Sequence, residues 1–198
     1  MRVLVILTVR NEGSFLLEWL AHHRAAGVTD FLVFSNDCTD GTDAMLDRLQ
    51  AMGWLTHIRN DGPHEKGPQW AALKAAASHP LTRAADWIAV LDIDEFVNIH
   101  TGDRTIPALL AALPQADAIT LTWRMFGNAG IVNLTDDPVT ATFTRCAPDP
   151  LDWPWRATMF KTLYRNDERL GQPGVHRPKG KGDAAWVDGA GRPLPGGP

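Results

Sequence analysis

The sequence predicts an α/β fold: a three-layer sandwich with helices on both faces of a mostly parallel central sheet. Three observations lead there. Apolar runs at Arg2–Val9, Asp30–Ser35, Trp54–Ile58 and Trp87–Leu91 alternate with segments of helical periodicity. Each helical segment is long enough to carry the chain back for a parallel pairing. The run Trp87–Leu91 has no polar residue, as a strand buried on both faces requires, and it ends in three acids, Asp92, Asp94 and Glu95.

Taken in order, Arg2–Val9 reads as a buried strand and Arg10–Gly13 as the turn leaving it. Phe15, Leu16, Trp19 and Leu20 fall at helical spacing, which predicts a helix over Ser14–Ala26 that Gly27 stops. Asp30–Ser35 is the second strand, and the polar turn Asn36–Thr42 offers Thr39 or Asp40 as a cap for a helix over Asp43–Met52. A short strand, Trp54–Ile58, leads into a charged loop, Arg59–Pro68, and a helix over Gln69–Ser78. Beyond the acids the pattern loosens: a helix at Ile106–Leu113, a strand at Ala118–Trp123, a loop at Phe126–Gly130 and a strand at Thr158–Tyr164. The glycine fingerprints of dinucleotide and P-loop folds are absent.

A chain of 198 residues, 44% apolar, suffices for one well-buried domain and is short for two, so residues 1–198 are expected to form a single domain. The net charge of −4 argues against a general nucleic-acid binder. Cys38 and Cys146 make neither a metal-ligand spacing nor a disulfide framework, which points to a reducing compartment. No run approaches the length of a transmembrane segment, and Val3–Val9 is too short for a secretory signal. A cytoplasmic location follows as an expectation, with peripheral attachment to the inner face of a membrane left open. Gly189–Pro198, G-A-G-R-P-L-P-G-G-P, lacks a hydrophobic closing element, so it reads as a disordered tail or as the end of a fragment.

The chemistry concentrates in Asp92-Ile93-Asp94. Continuing the strand's alternation would put both carboxylates on one side, roughly 7 Å apart. They stand at the carboxyl end of a buried strand, where open α/β sheets bind ligands. Two such carboxylates repel, and a divalent cation is their natural neutraliser; Mn²⁺ or Mg²⁺ suits, being hard and accepting oxygen ligands.

Three motifs then resemble glycosyltransferases of the GT-A fold, family 2-like: V-R-N-E-G at Val9–Gly13, S-N-D-C-T-D-G-T at Ser35–Thr42, and L-D-I-D-E-F at Leu91–Phe96. T-W-R-M-F-G-N-A-G at Thr122–Gly130 and G-V-H-R-P at Gly174–Pro178 also resemble the related family 92. The resemblance spans Val3 to Pro178 and implies a metal-dependent transferase. It would move a sugar from a nucleotide-diphospho-sugar donor to a saccharide or other hydroxyl acceptor, with inversion, in glycan or polysaccharide assembly. By the same resemblance Asn11, Glu12 and Asp37 would hold the base and ribose, and Lys66 and Gln69 would touch nucleotide or sugar. Asp94 would ligate the metal directly, Asp92 would lie nearer the ribose or the metal's water, and His176 would complete the metal site. Arg177 and Lys179 would add charge for the diphosphate.

The sequence departs from family 2 at Asn36-Asp37-Cys38, where many members carry a run of acids and a glycine, and this leaves the nucleotide open. An inverting enzyme also needs a carboxylate base. No motif singles one out; Asp137, Asp152 and Asp183 are the candidates, with Asp136 beside them. Trp153 and Trp155, next to Arg156, and Trp123 offer aromatic faces for a sugar. Two other readings stay open: a Mg²⁺-dependent phosphohydrolase using Asp92 as nucleophile and Asp94 as acid/base, and a non-catalytic nucleotide or glycan binder.

Overall fold

The structure is a computed structural model and describes residues 1–133, 135–148, 159–180 and 183–198. The first half alternates as the sequence predicts, but for one short helix that the sequence did not mark: β1 (Val3–Val9), α1 (Gly13–Ala25), β2 (Asp30–Ser35), α2 (Thr42–Ala51), β3 (Thr56–Arg59), α3 (Pro68–Ala77), the unmarked α4 (Pro80–Ala84) and β4 (Trp87–Leu91). After it come α5 (Ile106–Ala112), β5 (Ala118–Thr122), a one-turn α6 (Val139–Thr142), β6 (Phe160–Arg165) and β7 (Trp186–Asp188). The strands form one sheet in the order β3-β2-β1-β4-β6-β5-β7. β1 pairs in parallel with β2 and β4, β2 with β3, and β5 with β7; only β6 runs against its neighbours.

Alternation along the strands builds the three layers. Val3, Val5, Leu7 and Val9 of β1 join Trp87, Ala89 and Leu91 of β4 on one face, under Leu16, Trp19 and Leu20 of α1, Leu46 and Leu49 of α2, and Leu109 of α5. Leu4 and Ile6 join Ile88 and Val90 on the other face, under Ala72, Leu73 and Ala76 of α3. Each fully buried Leu, Ile or Val contributes about 1.5–3 kcal/mol, which is why β4 reads as an unbroken apolar run and β1 as one interrupted only by Thr8. The chain order reverses between β1 and β4, so the crevice outside their carboxyl ends is where such a sheet takes ligands.

Local chemistry sets the boundaries. Gly27 ends α1 at φ 99°, and a Cβ there would stand 2.8 Å from Cδ of Pro107, so the turn needs glycine on both counts. The N-cap of α2 is Gly41 rather than Thr39 or Asp40. Asp40 still serves the helix, its Oδ1 accepting from the Thr42 N–H at 2.9 Å and the Thr42 hydroxyl at 2.6 Å. Gly189–Pro198 is not a loose tail: Pro193 bridges Val187, and the Leu194 N–H donates to the Trp186 carbonyl at 2.8 Å. Its turn residues fold the segment back along β7, a pairing that hydrophobicity could not reveal.

Candidate active site

The acids leave β4 in a turn rather than on an extended strand. Sheet pairing ends at Leu91, and the Glu95 N–H donates to the Asp92 carbonyl at 3.1 Å, closing a four-residue turn. The alternation expected for Asp92 and Asp94 therefore stops before it reaches them. The turn is fastened from several sides. Glu95 Oε2 accepts from the Asp92 N–H at 2.8 Å. The indole of Trp19, on α1, donates to the carbonyls of Asp92 at 3.1 Å and Glu95 at 2.9 Å. His22 and His23, also on α1, hold Val97, two residues beyond Glu95: His22 Nε2 lies 2.8 Å from the Val97 carbonyl, and His23 Nε2 accepts from the Val97 N–H at 3.3 Å.

A cation stands inside the turn. Lys161 enters from β6, and its ammonium lies 2.7 Å from Asp92 Oδ2 and 3.4 Å from Glu95 Oε2, with the lysine side chain only 2% exposed. Sequence reasoning missed it. The signal was one lysine in an otherwise strand-like F-K-T-L-Y-R, two residues before Leu163, which faces the α1 side of the core.

The two neighbouring turns converge on the same edge. Burial, reinforced by the charges of Asp94 and Asp40, pushes the Glu12 carboxyl above its ordinary value, which brings Glu12 and Asp94 into one negative field. Asn11, at φ 59°, spends its side-chain oxygen on the Thr39 N–H at 2.7 Å, tying the turn after β1 to the turn after β2. Asp37, at φ 46°, is exposed; its N–H donates to Asp61 Oδ1 at 2.7 Å and its Oδ1 accepts from the Gly62 N–H at 3.3 Å. Below it runs a hydrogen-bonded chain. The Ser35 hydroxyl donates to His57 Nε2 at 2.8 Å, His57 Nδ1 donates to Asp47 at 2.7 Å, and Arg59 holds the other Asp47 oxygen at 2.8 Å. Ser35 is fully buried, so this set ties β2 to β3 and α2 and offers no nucleophile.

Lys66 is exposed and Gln69 half-buried in the segment entering α3, at the same edge. His176 lies beside the start of β6: its Nδ1 donates to the Phe160 carbonyl at 3.0 Å and its ring meets Trp123 edge-on at 5.7 Å. Arg177 donates to the carbonyl of Pro198, and Lys179 lies over the Trp70 ring at 4.0 Å. Of the proposed bases, Asp137 accepts from the Thr135 hydroxyl at 2.9 Å, just ahead of α6. Glu18 of α1 fastens that helix by accepting from the N–H groups of Val139 at 2.7 Å and Thr140 at 3.0 Å. Asp183 stands elsewhere: its carbonyl accepts from Arg169 at 3.5 Å, and Arg169 pairs with Asp117 just before β5, at the opposite edge of the sheet. Asp152, Trp153, Trp155 and Arg156 lie outside the described residues.

Among the described residues, no three His, Cys, Asp or Glu side chains converge as a ready-made metal site. The donors nonetheless suit a hard divalent cation. Asp94 is exposed beside Glu12, one Asp92 oxygen remains beyond Lys161's hydrogen bond, and Glu95 Oε1 is buried without a hydrogen-bond partner. His176 spends Nδ1 on a carbonyl and keeps Nε2 as an acceptor, the arrangement metal-ligating histidines use.

The profile of glycosyltransferase family 92 matches residues 8–149, which carry the turns after β1, β2 and β4. The chain belongs to glycosyltransferase family 92. It is 25% identical over 146 residues to a family 92 protein of Oryza sativa subsp. japonica, covering 71% of this chain and 24% of that protein. A family 92 protein of Ricinus communis is 25% identical over 142 residues, covering 69% of this chain and 25% of that protein. The chain thus spans about a quarter of the length of these relatives. Among solved structures, S. aureus TarS 1-349 superposes with a TM-score of 0.51 at 15% identity, covering 84% of this chain and 47% of that one. That likeness is one of fold, and the fold is the GT-A type. The family 92 match takes in Asn11, Glu12, Asp37, Lys66, Gln69, Asp92 and Asp94, whereas Lys161 and His176 lie beyond it. No helix among the described residues is long and apolar enough to cross a membrane.

Proposed function

We propose that residues 1–198 form a GT-A unit that binds a nucleotide-diphospho-sugar at the carboxyl edge. As part of a metal-dependent glycosyltransferase it passes the sugar to a hydroxyl acceptor with inversion, in glycan or polysaccharide assembly. The observation that carries this reading is the acid turn Asp92–Glu95, which Trp19 and Lys161 fix in place between the turns bearing Glu12 and His176. Fixed charge aimed at a leaving group needs no reorganisation during reaction. Asp94 and His176 would hold Mn²⁺ or Mg²⁺, which supplies Lewis-acid stabilisation for the departing nucleoside diphosphate. Asn11, Glu12 and Asp37 would frame the nucleoside, and Lys66 and Gln69 the phosphates or sugar. A carboxylate would take the acceptor's proton; Asp137 travels with the segment that Glu18 fastens to α1.

The test is calorimetric titration of UDP and GDP, with and without Mn²⁺, into wild type and Asp94→Ala. Binding that needs the metal and weakens by about ten-fold or more in the variant supports the donor site and identifies the base. A folded protein that binds neither nucleotide refutes it, and phosphate release from a generic phosphomonoester would favour the phosphohydrolase reading.

A further inference from the structure

Lys161 does more than fasten the acid turn. It sits two residues from Leu163 on the same face of β6, where leucine or methionine would fill the space. Replacing both members of a buried ion pair by apolar groups is often neutral or stabilising, so such a pair is seldom kept for stability alone. What it changes is the charge at the cleft. Glu12 and Asp94 share a negative field there, and the Lys161 ammonium takes one oxygen from Asp92 at 2.7 Å while lying 3.4 Å from Glu95. The Asp92 side chain is still 37% exposed.

We propose that Lys161 is a positioning residue that sets the cation affinity of the acid turn. It holds Asp92 away from direct ligation and weakens the negative field, so that Asp94 is the principal carboxylate for the metal. The cation then binds weakly to the free protein and firmly only when a nucleoside diphosphate adds its oxygens. This inference rests on the metal-dependent reading above.

The experiment measures Mn²⁺ binding directly, by electron paramagnetic resonance of the free ion, without nucleotide and with UDP. Relative to wild type, Lys161→Met is expected to bind Mn²⁺ about ten-fold more tightly in the absence of nucleotide, because Asp92 becomes available and one positive charge is gone. Lys161→Arg should stay near wild type, and the double variant Lys161→Met/Asp92→Asn should return to it. Should Lys161→Met fail to fold, Asp92→Asn and Asp94→Asn carry the test alone: the first should weaken Mn²⁺ binding by no more than about three-fold and the second by about ten-fold. Equal or weaker Mn²⁺ binding by folded Lys161→Met overturns the inference. So does tightening that survives Asp92→Asn, or equal losses in the two single asparagine variants. If wild type and variants alike bind no Mn²⁺ even with UDP present, the metal-dependent reading itself falls, a result distinct from any of these.

Discussion

His23 makes the mounting of the acid turn sensitive to acid. It is fully buried on α1, in contact with Trp19 at 4.2 Å between ring centroids. Burial pulls its pKa from 6.5 to about 4; the hydrogen bond to the Trp19 carbonyl opposes that pull, and the charge of neighbouring His22 adds to it. The neutral ring donates through Nδ1 to Trp19 at 2.9 Å and accepts through Nε2 from the Val97 N–H at 3.3 Å. Protonation would set two N–H groups against each other at Val97. Between pH 6.5 and 4 the unfolded chain carries the proton and the folded chain does not, so stability rises with pH across that window. His23 stabilises fully above pH 6.5, and its contribution is lost as pH falls toward 4. At 1.36 kcal/mol per unit the loss is about 3 kcal/mol, a large share of the roughly 5–15 kcal/mol typical of a domain. Urea denaturation at pH 7, 6, 5 and 4.5, on wild type and His23→Gln, reads the effect as a difference in slope. Identical pH slopes in the two proteins would refute the reasoning.

Two further predictions follow from particular contacts. Trp19→Phe keeps most of the buried ring but removes the N–H shared by the Asp92 and Glu95 carbonyls; it should cost about 2–3 kcal/mol in chemical denaturation and weaken nucleotide binding, and unchanged nucleotide affinity would show that the turn needs no such anchor. Gly27→Ala forces a left-handed residue and a Cβ 2.8 Å from Pro107 Cδ, so thermal unfolding should register a loss of about 1–3 kcal/mol, whereas an unchanged midpoint would mean that α1 and α5 separate freely.

Residues near in sequence determined much of this protein. Apolar runs located β1 to β4 and helical periodicity located α1 to α3, because burial on both faces leaves little room for polar residues: Thr8 is the one in Val3–Val9, and Trp87–Leu91 has none. The acids at the end of β4 were legible for the same reason: a charge following such a run must lie outside the core. Other features depended on pairings between distant residues, which no local pattern encodes. The antiparallel insertion of β6 between β4 and β5 brings Lys161 to Asp92, 69 positions earlier. The α1 helix delivers Trp19 to the Asp92 and Glu95 carbonyls, 73 and 76 positions away. The turn at Asp92–Glu95 replaces the extended geometry that alternation implied, because β4 loses its paired register after Leu91. Sequence thus marked where the charge lies, and the tertiary structure decided what faces it, since a buried ammonium is tolerated only where the fold brings carboxylates to meet it.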